Sequence, residues 1–301
     1  MSPLVSVIMN CHNGERFLNE AIESIYNQTY NNWEIIFWDN ASTDSSAKIA
    51  HSYDKRIQYY FNDKKTSLGE ARNFAMSKAI GKYVAFLDCD DRFLPEKMMI
   101  QVELMETEGF LFSYGSTIII NEHGNMVKKR RVKNKSGYIV NRLLKHYEIN
   151  MQSVMIDREF LRESEFEFNK QMQYCPDYNL FMRIASQFKV GVLSDFIVEY
   201  RKVSNSLSSK TLDLVSLEIK ESLDAILSQN KKLQSTFPKE VDVAYRKLQF
   251  YDAVSFINQN QFAKARATIF SIILKDYRYF IIYILLFLPL SSRFLLRVLN
   301  R

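Results

Sequence analysis

Four consecutive residues, Asp88-Cys89-Asp90-Asp91, directly follow the apolar run Tyr83-Val84-Ala85-Phe86-Leu87. Carboxylates that emerge where a buried strand meets a loop stand at the edge of an open parallel sheet, the edge at which such sheets bind ligands. Side chains two apart on an extended segment share a face, so Asp88 and Asp90 can converge on one hard cation, directly or through its waters. Such a cation would bridge a diphosphate and stabilise it as a leaving group. An isolated Asp-x-Asp is common; its place after a hydrophobic strand gives it weight. A second acid, Asp39, ends the run Glu34-Ile35-Ile36-Phe37-Trp38 in the same way, where a carboxylate at the rim of a nucleotide pocket can accept a base or ribose hydrogen bond. In the residues that follow it, Ser42 or Thr43 is expected to cap a helix.

Hydrophobic periodicity shows the elements that must position these acids. Strands are expected at 5–9, 34–38, 57–61, 83–87 and 110–120. Phe17, Leu18, Ala21, Ile22 and Ile25 recur at helical spacing after the first strand, and Ala71, Phe74, Ala75 and Ala79 after the third, with Gly81 as the expected cap. Pro95 is expected in the first turn of a helix that turns Met98, Met99, Val102 and Met105 inward. This alternation predicts a layered α/β domain with a mostly parallel sheet. His123-Gly124-Asn125 reads as a turn, and the densest basic run follows it, Lys128-Lys129-Arg130-Arg131-Val132-Lys133-Asn134-Lys135, open between a solvated loop and an anion site. After Ser204-Asn205-Ser206 only helical patterns remain, near 211–227, 241–257 and 262–273, so the expected domains are 1–208 and 209–301.

With 301 residues, 47% hydrophobic and 14% aromatic, the chain can bury a full core, which excludes disorder as its default state. A net charge of +6 and a pI near 9.0 suggest an anionic partner without choosing among nucleic acid, lipid head groups and phosphorylated substrates. Nucleic acid is not expected, because the basic residues do not interleave with aromatics and no RNA-binding motif is present. Cys11, Cys89 and Cys175 are too few and too far apart for a disulfide framework or a thiolate zinc site, and a reducing cytosol suits them. The chain enters its first apolar run without a basic leader, so this run reads as a strand rather than a signal peptide. His51, His123 and His146 lack partners at metal spacing, and Trp33 and Trp38 read as packing residues. The apolar stretch from Tyr279 to Leu290, interrupted by Pro289 and followed by Arg293, Arg297 and Arg301, falls short of the ~20 residues that span a bilayer. A helix in the interface of an anionic membrane fits it better; internal packing or a homodimer contact through the C-terminal helices is the alternative.

Five ordered motifs carry a resemblance: Val5-Ser6-Val7-Ile8-Met9-Asn10-Cys11-His12-Asn13, Asn27-Gln28-Thr29-Tyr30, the segment from Ile35 to Asp44, Leu68-Gly69-Glu70-Ala71-Arg72-Asn73, and Phe86-Leu87-Asp88-Cys89-Asp90-Asp91. In order and spacing the chain resembles the family-2 glycosyltransferases of bacterial cell-surface polysaccharide synthesis, from about residue 5 to residue 208. The resemblance implies the GT-A fold, a mostly parallel mixed sheet flanked by helices, here with a C-terminal all-helical extension. It also implies inverting transfer of a sugar from a nucleotide-diphosphate donor, UDP being favoured, to a hydroxyl of a lipid-linked or growing cell-surface glycan. Mn2+ or Mg2+ is the implied cofactor, and the cytoplasmic side of the membrane the implied location.

Carried over residue by residue, Asn10, Cys11, His12, Asn13 and Asp39 fall at the nucleoside and Arg72 near the base or phosphates. Asp88 falls near the ribose and metal, Asp90 on the metal, and Asp91 towards the donor sugar or in support of the loop. The family's general base sits in a Glu-Asp pair opening a helix; the matching stretch is Cys175-Pro176-Asp177-Tyr178, and Asp177 fits the base. An inverting displacement needs such a carboxylate opposite the leaving phosphate to take the acceptor proton. Independently of any family, the helix dipole favours an acid just after Pro176. Two positions depart from the pattern. Pro176 replaces the usual Glu, and in Tyr200-Arg201-Lys202-Val203 the last residue stands where His is common, leaving Arg201 or Lys202 to supply charge to phosphate. These departures keep open the alternative of a noncatalytic relative that binds a nucleotide or a partner.

Overall fold

The computed structural model describes residues 2–203 and 212–288; Ser204, Asn205, Ser206, Pro289 and the tail residues Arg293, Arg297 and Arg301 lie outside the described residues. The chain forms two compact units, Met1–Ser204 and Asn205–Arg301.

The first unit is built on one mixed sheet. Its strands are β1 (Val5–Cys11), β2 (Trp33–Asn40), β3 (Ile57–Asn62), β4 (Tyr83–Phe86), β5 (Arg92–Phe93), β6 (Phe112–Ile120), β7 (Met126–Arg130), β8 (Met155–Asp157) and β9 (Gly191–Arg201). Their spatial order is β3-β2-β1-β4-β8-β6-β9-β5, with β7 also paired to β6. β3, β2, β1 and β4 are mutually parallel, β8 is antiparallel to both β4 and β6, and β6 and β9 are parallel. Central strands covered on both faces need continuous apolar sequence, and β1, β2 and β4 are almost wholly buried.

The helices of this unit are α1 (Glu15–Tyr26), α2 (Ser46–Ala50), α3 (Leu68–Met76), α4 (Lys97–Glu108), α5 (Val140–Lys145), α6 (Arg158–Glu163) and α7 (Pro176–Ala185). α1 buries Leu18, Ala21, Ile22 and Ile25 at the expected helical spacing.

Several local expectations are corrected. α3 ends at Met76, so Gly81 does not cap it; a Cβ at Gly81 would lie 2.6 Å from the Leu4 carbonyl oxygen, and close approach explains that glycine. Ser45, not Ser42 or Thr43, is the N-cap of α2. Pro95 stands in the turn before α4, with its carbonyl accepting from Thr29 N at 2.9 Å. Met98, Val102 and Met105 are buried, whereas Met99 is 41% exposed on the outer face. Part of the basic run is strand β7, not loop.

The described part of the second unit is helical: α8 (Leu212–Gln229), α9 (Lys231–Thr236), α10 (Pro238–Asn258), α11 (Phe262–Phe270) and α12 (Tyr277–Leu285). Ala253, Ile257, Ala265, Ile269, Ile272 and Leu286 form a small core, while Leu274, Tyr277, Phe280, Ile281, Ile284 and Phe287 are exposed. Among the described residues no helix is long and apolar enough to cross a membrane.

Candidate active site

Parallel pairing brings the C-terminal ends of β1, β2 and β4 to one sheet edge, with Cys11 opposite Asp39 and Ile8 opposite Phe86. The loops leaving β1 and β2 are stitched together there. Asn13 N donates to Ser42 Oγ at 3.0 Å, Thr43 N to Asn13 Oδ1 at 2.8 Å, Gly14 N to Ser46 Oγ at 3.0 Å and Ser45 N to Glu15 Oε2 at 2.8 Å. Asn13 and Ala41 both adopt left-handed backbone, φ 57° and 63°. Asn tolerates this locally; Ala does so only because the surrounding bonds hold it. His12 Nδ1 lies 3.0 Å from the Asn40 carbonyl, which can only accept, so this nitrogen carries the proton.

Asp39 is 1% exposed; its Oδ1 accepts from Ser42 N at 2.8 Å and its Oδ2 from Tyr59 OH at 2.8 Å. Its carboxylate therefore shapes the second loop from beneath. Cys11 is likewise buried, against Cys89. The hydrogen bond between the two thiols pulls Cys11 down and, with burial, pushes Cys89 well up, while Cys89 Sγ also donates to the Asn10 carbonyl at 3.3 Å.

The acidic loop after β4 divides its carboxylates by environment. Asp88 Oδ1 meets Arg72 Nη2 at 3.3 Å and its Oδ2 accepts from Gln152 Nε2 at 2.7 Å. Asp91 is 1% exposed, accepting from Arg201 N at 2.6 Å and Gln152 Nε2 at 2.5 Å; burial, then Asp90 and Asp88, pushes its carboxyl well up. Asp90 is half-buried, and burial followed by the Asp88 charge pushes its carboxyl up to about 6. A pair of hard-oxygen groups whose ionised forms repel each other in a partly desolvated site suits a divalent cation. Among the described residues no group of three or more His, Cys, Asp or Glu side chains is arranged to hold a metal ion, so an ion held by Asp88 and Asp90 would need further oxygen ligands from outside the protein.

Arg201, one of the two residues expected to reach phosphate, is 2% exposed and committed elsewhere. Its Nε donates to the Asp90 carbonyl at 2.8 Å, its Nη2 to Glu20 Oε2 at 2.7 Å, and its guanidinium lies 4.3 Å from the Phe17 ring centroid. It pins the acidic loop to α1 instead. Lys202 is exposed.

Asp177 occupies the first turn of α7 behind Pro176. Burial pushes its carboxyl up; the Arg72 charge opposes this and Asp88 adds to it, so the three groups share one field. Tyr147 packs against Tyr178 with ring centroids 4.7 Å apart, and burial, then Asp177, pushes its phenol well up.

Sequence reasoning missed Gln152 and Tyr147. Gln152 belongs to a 3-10 turn, Met151–Ser153, capped by Asn150, and its only local signal is a polar stretch ahead of the apolar run Val154-Met155-Ile156. Buried polar atoms without partners gather here: Asn10 Nδ2, Arg72 Nη1, Gln152 Oε1 and Tyr147 OH, with Trp38 Nε1 on the neighbouring strand. Native proteins rarely leave such atoms unpaired, and a polar ligand at this edge accounts for their concentration.

The family model described as glycosyl transferase family 2 matches residues 6–165. An Escherichia coli relative, "UDP-Glc:alpha-D-GlcNAc-diphosphoundecaprenol beta-1,3-glucosyltransferase", is 34% identical over 68% of this chain and 80% of its own length. Among solved structures, S. aureus TarS in complex with UDP-GlcNAc superposes with a TM-score of 0.61 at 17% identity, covering 82% of this chain and 81% of that one. A mannosyltransferase of Pyrobaculum calidifontis in complex with GDP-Man and Mn2+ gives a TM-score of 0.61 at 14% identity over 99% of this chain and 79% of its own.

Proposed function

We propose, because the chain belongs to glycosyl transferase family 2, that it transfers a sugar with inversion from a UDP-sugar to a hydroxyl of a lipid-linked or growing cell-surface glycan. The fold is GT-A and the reaction class is glycosyl transfer. The donor and acceptor classes rest on likeness: the E. coli relative is named for a UDP-Glc donor and a diphosphoundecaprenol-linked acceptor, and the S. aureus neighbour holds UDP-GlcNAc.

The observation that carries the reading is the sheet edge itself, where Asp88 and Asp90, the Arg72 guanidinium, Asp177 and the unpaired atoms of Asn10, Gln152 and Tyr147 meet. The stitched loops at Asn10, Cys11, His12 and Asn13, supported from below by Asp39, form the nucleoside side. Arg72 Nη1 is left for phosphate or base, and Lys202 for phosphate. Asp88 and Asp90 would hold Mn2+ or Mg2+, which the Mn2+ of the mannosyltransferase neighbour supports. When bound, the ion neutralises the diphosphate leaving group. Asp91 holds the loop, and Asp177 takes the acceptor hydroxyl proton as the bond to the sugar forms. Catalysis is assigned to residues 1–208. The exposed apolar residues of the helical region 209–301 support peripheral contact with the inner face of the cytoplasmic membrane.

Calorimetry with UDP, with and without Mn2+ or Mg2+, tests this reading. Metal-dependent binding that Asp90→Ala abolishes is expected. No binding with either metal, in both proteins, would sink it.

A further inference from the structure

We propose that the β6–β7 hairpin is a docking ridge for the anionic head groups of a lipid bilayer, with its turn at the active-site end of the sheet. β4 and β6 are each antiparallel to β8, so they run the same way, and the turn leaving β6 stands at the end of the sheet where β4 delivers Asp88. Arg201 ties the two together, donating from Nε to the Asp90 carbonyl at 2.8 Å and from Nη1 to the Glu122 carbonyl in the hairpin turn at 3.2 Å. β7 pairs with β6 along one side only.

The ridge carries six cations within eight residues, Lys128, Lys129, Arg130, Arg131, Lys133 and Lys135, and no acid. All six are exposed, and among the described residues none forms an ion pair. Nor are they a loose solvated tail. Strand pairing fixes the first part, Val132 is buried, and Glu148 accepts from Lys133 N at 2.9 Å and Asn134 N at 3.0 Å, which anchors the far end. Beside the cations, Met126 and Val127 are 60% and 61% exposed. Strand alternation sends Lys128 and Arg130 to one face and Lys129 and Arg131 to the other, where Arg131 Nη1 donates to the Ser194 carbonyl at 2.9 Å. The cations free of such contacts, with the exposed Met126 and Val127 at the turn, match a bilayer surface, phosphates for the former and the acyl boundary for the latter. A single-stranded nucleic acid would want free aromatic platforms, yet the nearby Phe196 ring lies under Lys129 and Arg131, at 5.3 and 4.8 Å. The choice of lipid among polyanions rests on the lipid-linked acceptor proposed above.

Co-sedimentation of the full chain with vesicles tests the ridge, comparing pure phosphatidylcholine with mixtures containing phosphatidylglycerol. Salt-sensitive binding to the anionic vesicles alone is expected. Each basic residue at such a surface is worth about a fivefold factor, so Lys128→Glu/Arg130→Glu/Lys133→Glu should bind at least roughly a hundredfold more weakly. Met126→Ser/Val127→Ser should bind more weakly without losing salt sensitivity. UDP binding, followed in parallel, should stay intact in both variants; its absence in the unaltered chain would count against the transferase reading alone. Equal binding to neutral vesicles, undiminished binding by the triple variant, or tighter binding to an oligonucleotide than to anionic vesicles would each overturn the ridge.

Discussion

Gln152 donates from a single amide nitrogen to two carboxylates, Asp88 and Asp91, and so ties the half-buried acid to the buried one. Gln152→Ala leaves Asp91 with only the Arg201 amide, and a buried acceptor that loses a donor costs about 1–3 kcal/mol. A lower melting temperature is expected, together with a raised KM for donor as Asp88 loosens. Unchanged values for both would show the amide to be dispensable. Asp177 leads to a different outcome, because Asp177→Asn keeps shape and hydrogen bonding but cannot take a proton: UDP affinity should persist while turnover disappears. Its pH profile has a definite sign. Burial raises the Asp177 carboxyl, a base acts only when ionised, and activity is therefore lost as pH falls through a value above the ordinary carboxylate range. An acid limb at ordinary carboxylate pH would assign the proton transfer to another group. As candidates, Asp88, Asp90 and Asp177 were legible in the sequence by position and resemblance, whereas Gln152 and Tyr147 were not, since neither sits in a pattern that betrays what its side chain reaches.

Among the elements, α3 carries Arg72, which the proposed reading places at the nucleotide, and holds Gly69 in its first turn. A Cβ on Gly69 would lie 2.1 Å from the Asn169 carbonyl oxygen, which is backbone and cannot swing aside, and Gly69 N already donates to Met172 O at 3.2 Å. Gly69→Ala must therefore push the helix away from the segment preceding α7. An overpacking cost of ~1–3 kcal/mol is expected, and because Arg72 moves with the helix, weaker UDP binding should accompany it. Thermal denaturation and calorimetry check the two effects together; a neutral substitution would mean that the 169–172 segment yields freely. Strands β1, β2 and β4 were readable to within about two residues because burial on both faces forces uninterrupted apolar sequence. β5 and β8 are two and three residues long and too short to show a period. Met99 was misread for a related reason: an apolar residue on a helix says nothing about its face unless the neighbouring turns are polar, and Lys97 and Gln101, which look polar, are the buried ones.

For the molecule as a whole, that buried Lys97 sets a pH dependence of stability. It is 0% exposed, its Nζ donates to Gln101 Oε1 at 2.6 Å and lies 3.4 Å from the Val154 carbonyl, and among the described residues no carboxylate pairs with it. Gln101 in turn donates to the Ser153 carbonyl at 2.9 Å, so the pair supports the segment that carries Gln152. Burial alone brings the Lys97 ammonium down to about 7, against 10.5 for a free lysine. Below the lower value the folded and unfolded chains both hold the proton, and the folded state bears the full penalty of a buried charge. Between the two values only the unfolded chain holds it, so stability rises with pH, by up to roughly 1.4 kcal/mol per pH unit from this one group. Lys97→Met removes the titration while keeping the volume. Its denaturation midpoints should lose that slope between neutral and alkaline pH, whatever the loss of the Gln101 contact does to the absolute value. A variant with the parent's slope would show that Lys97 is not the source, and the buried ammonium would have to be solvated by water reaching the core.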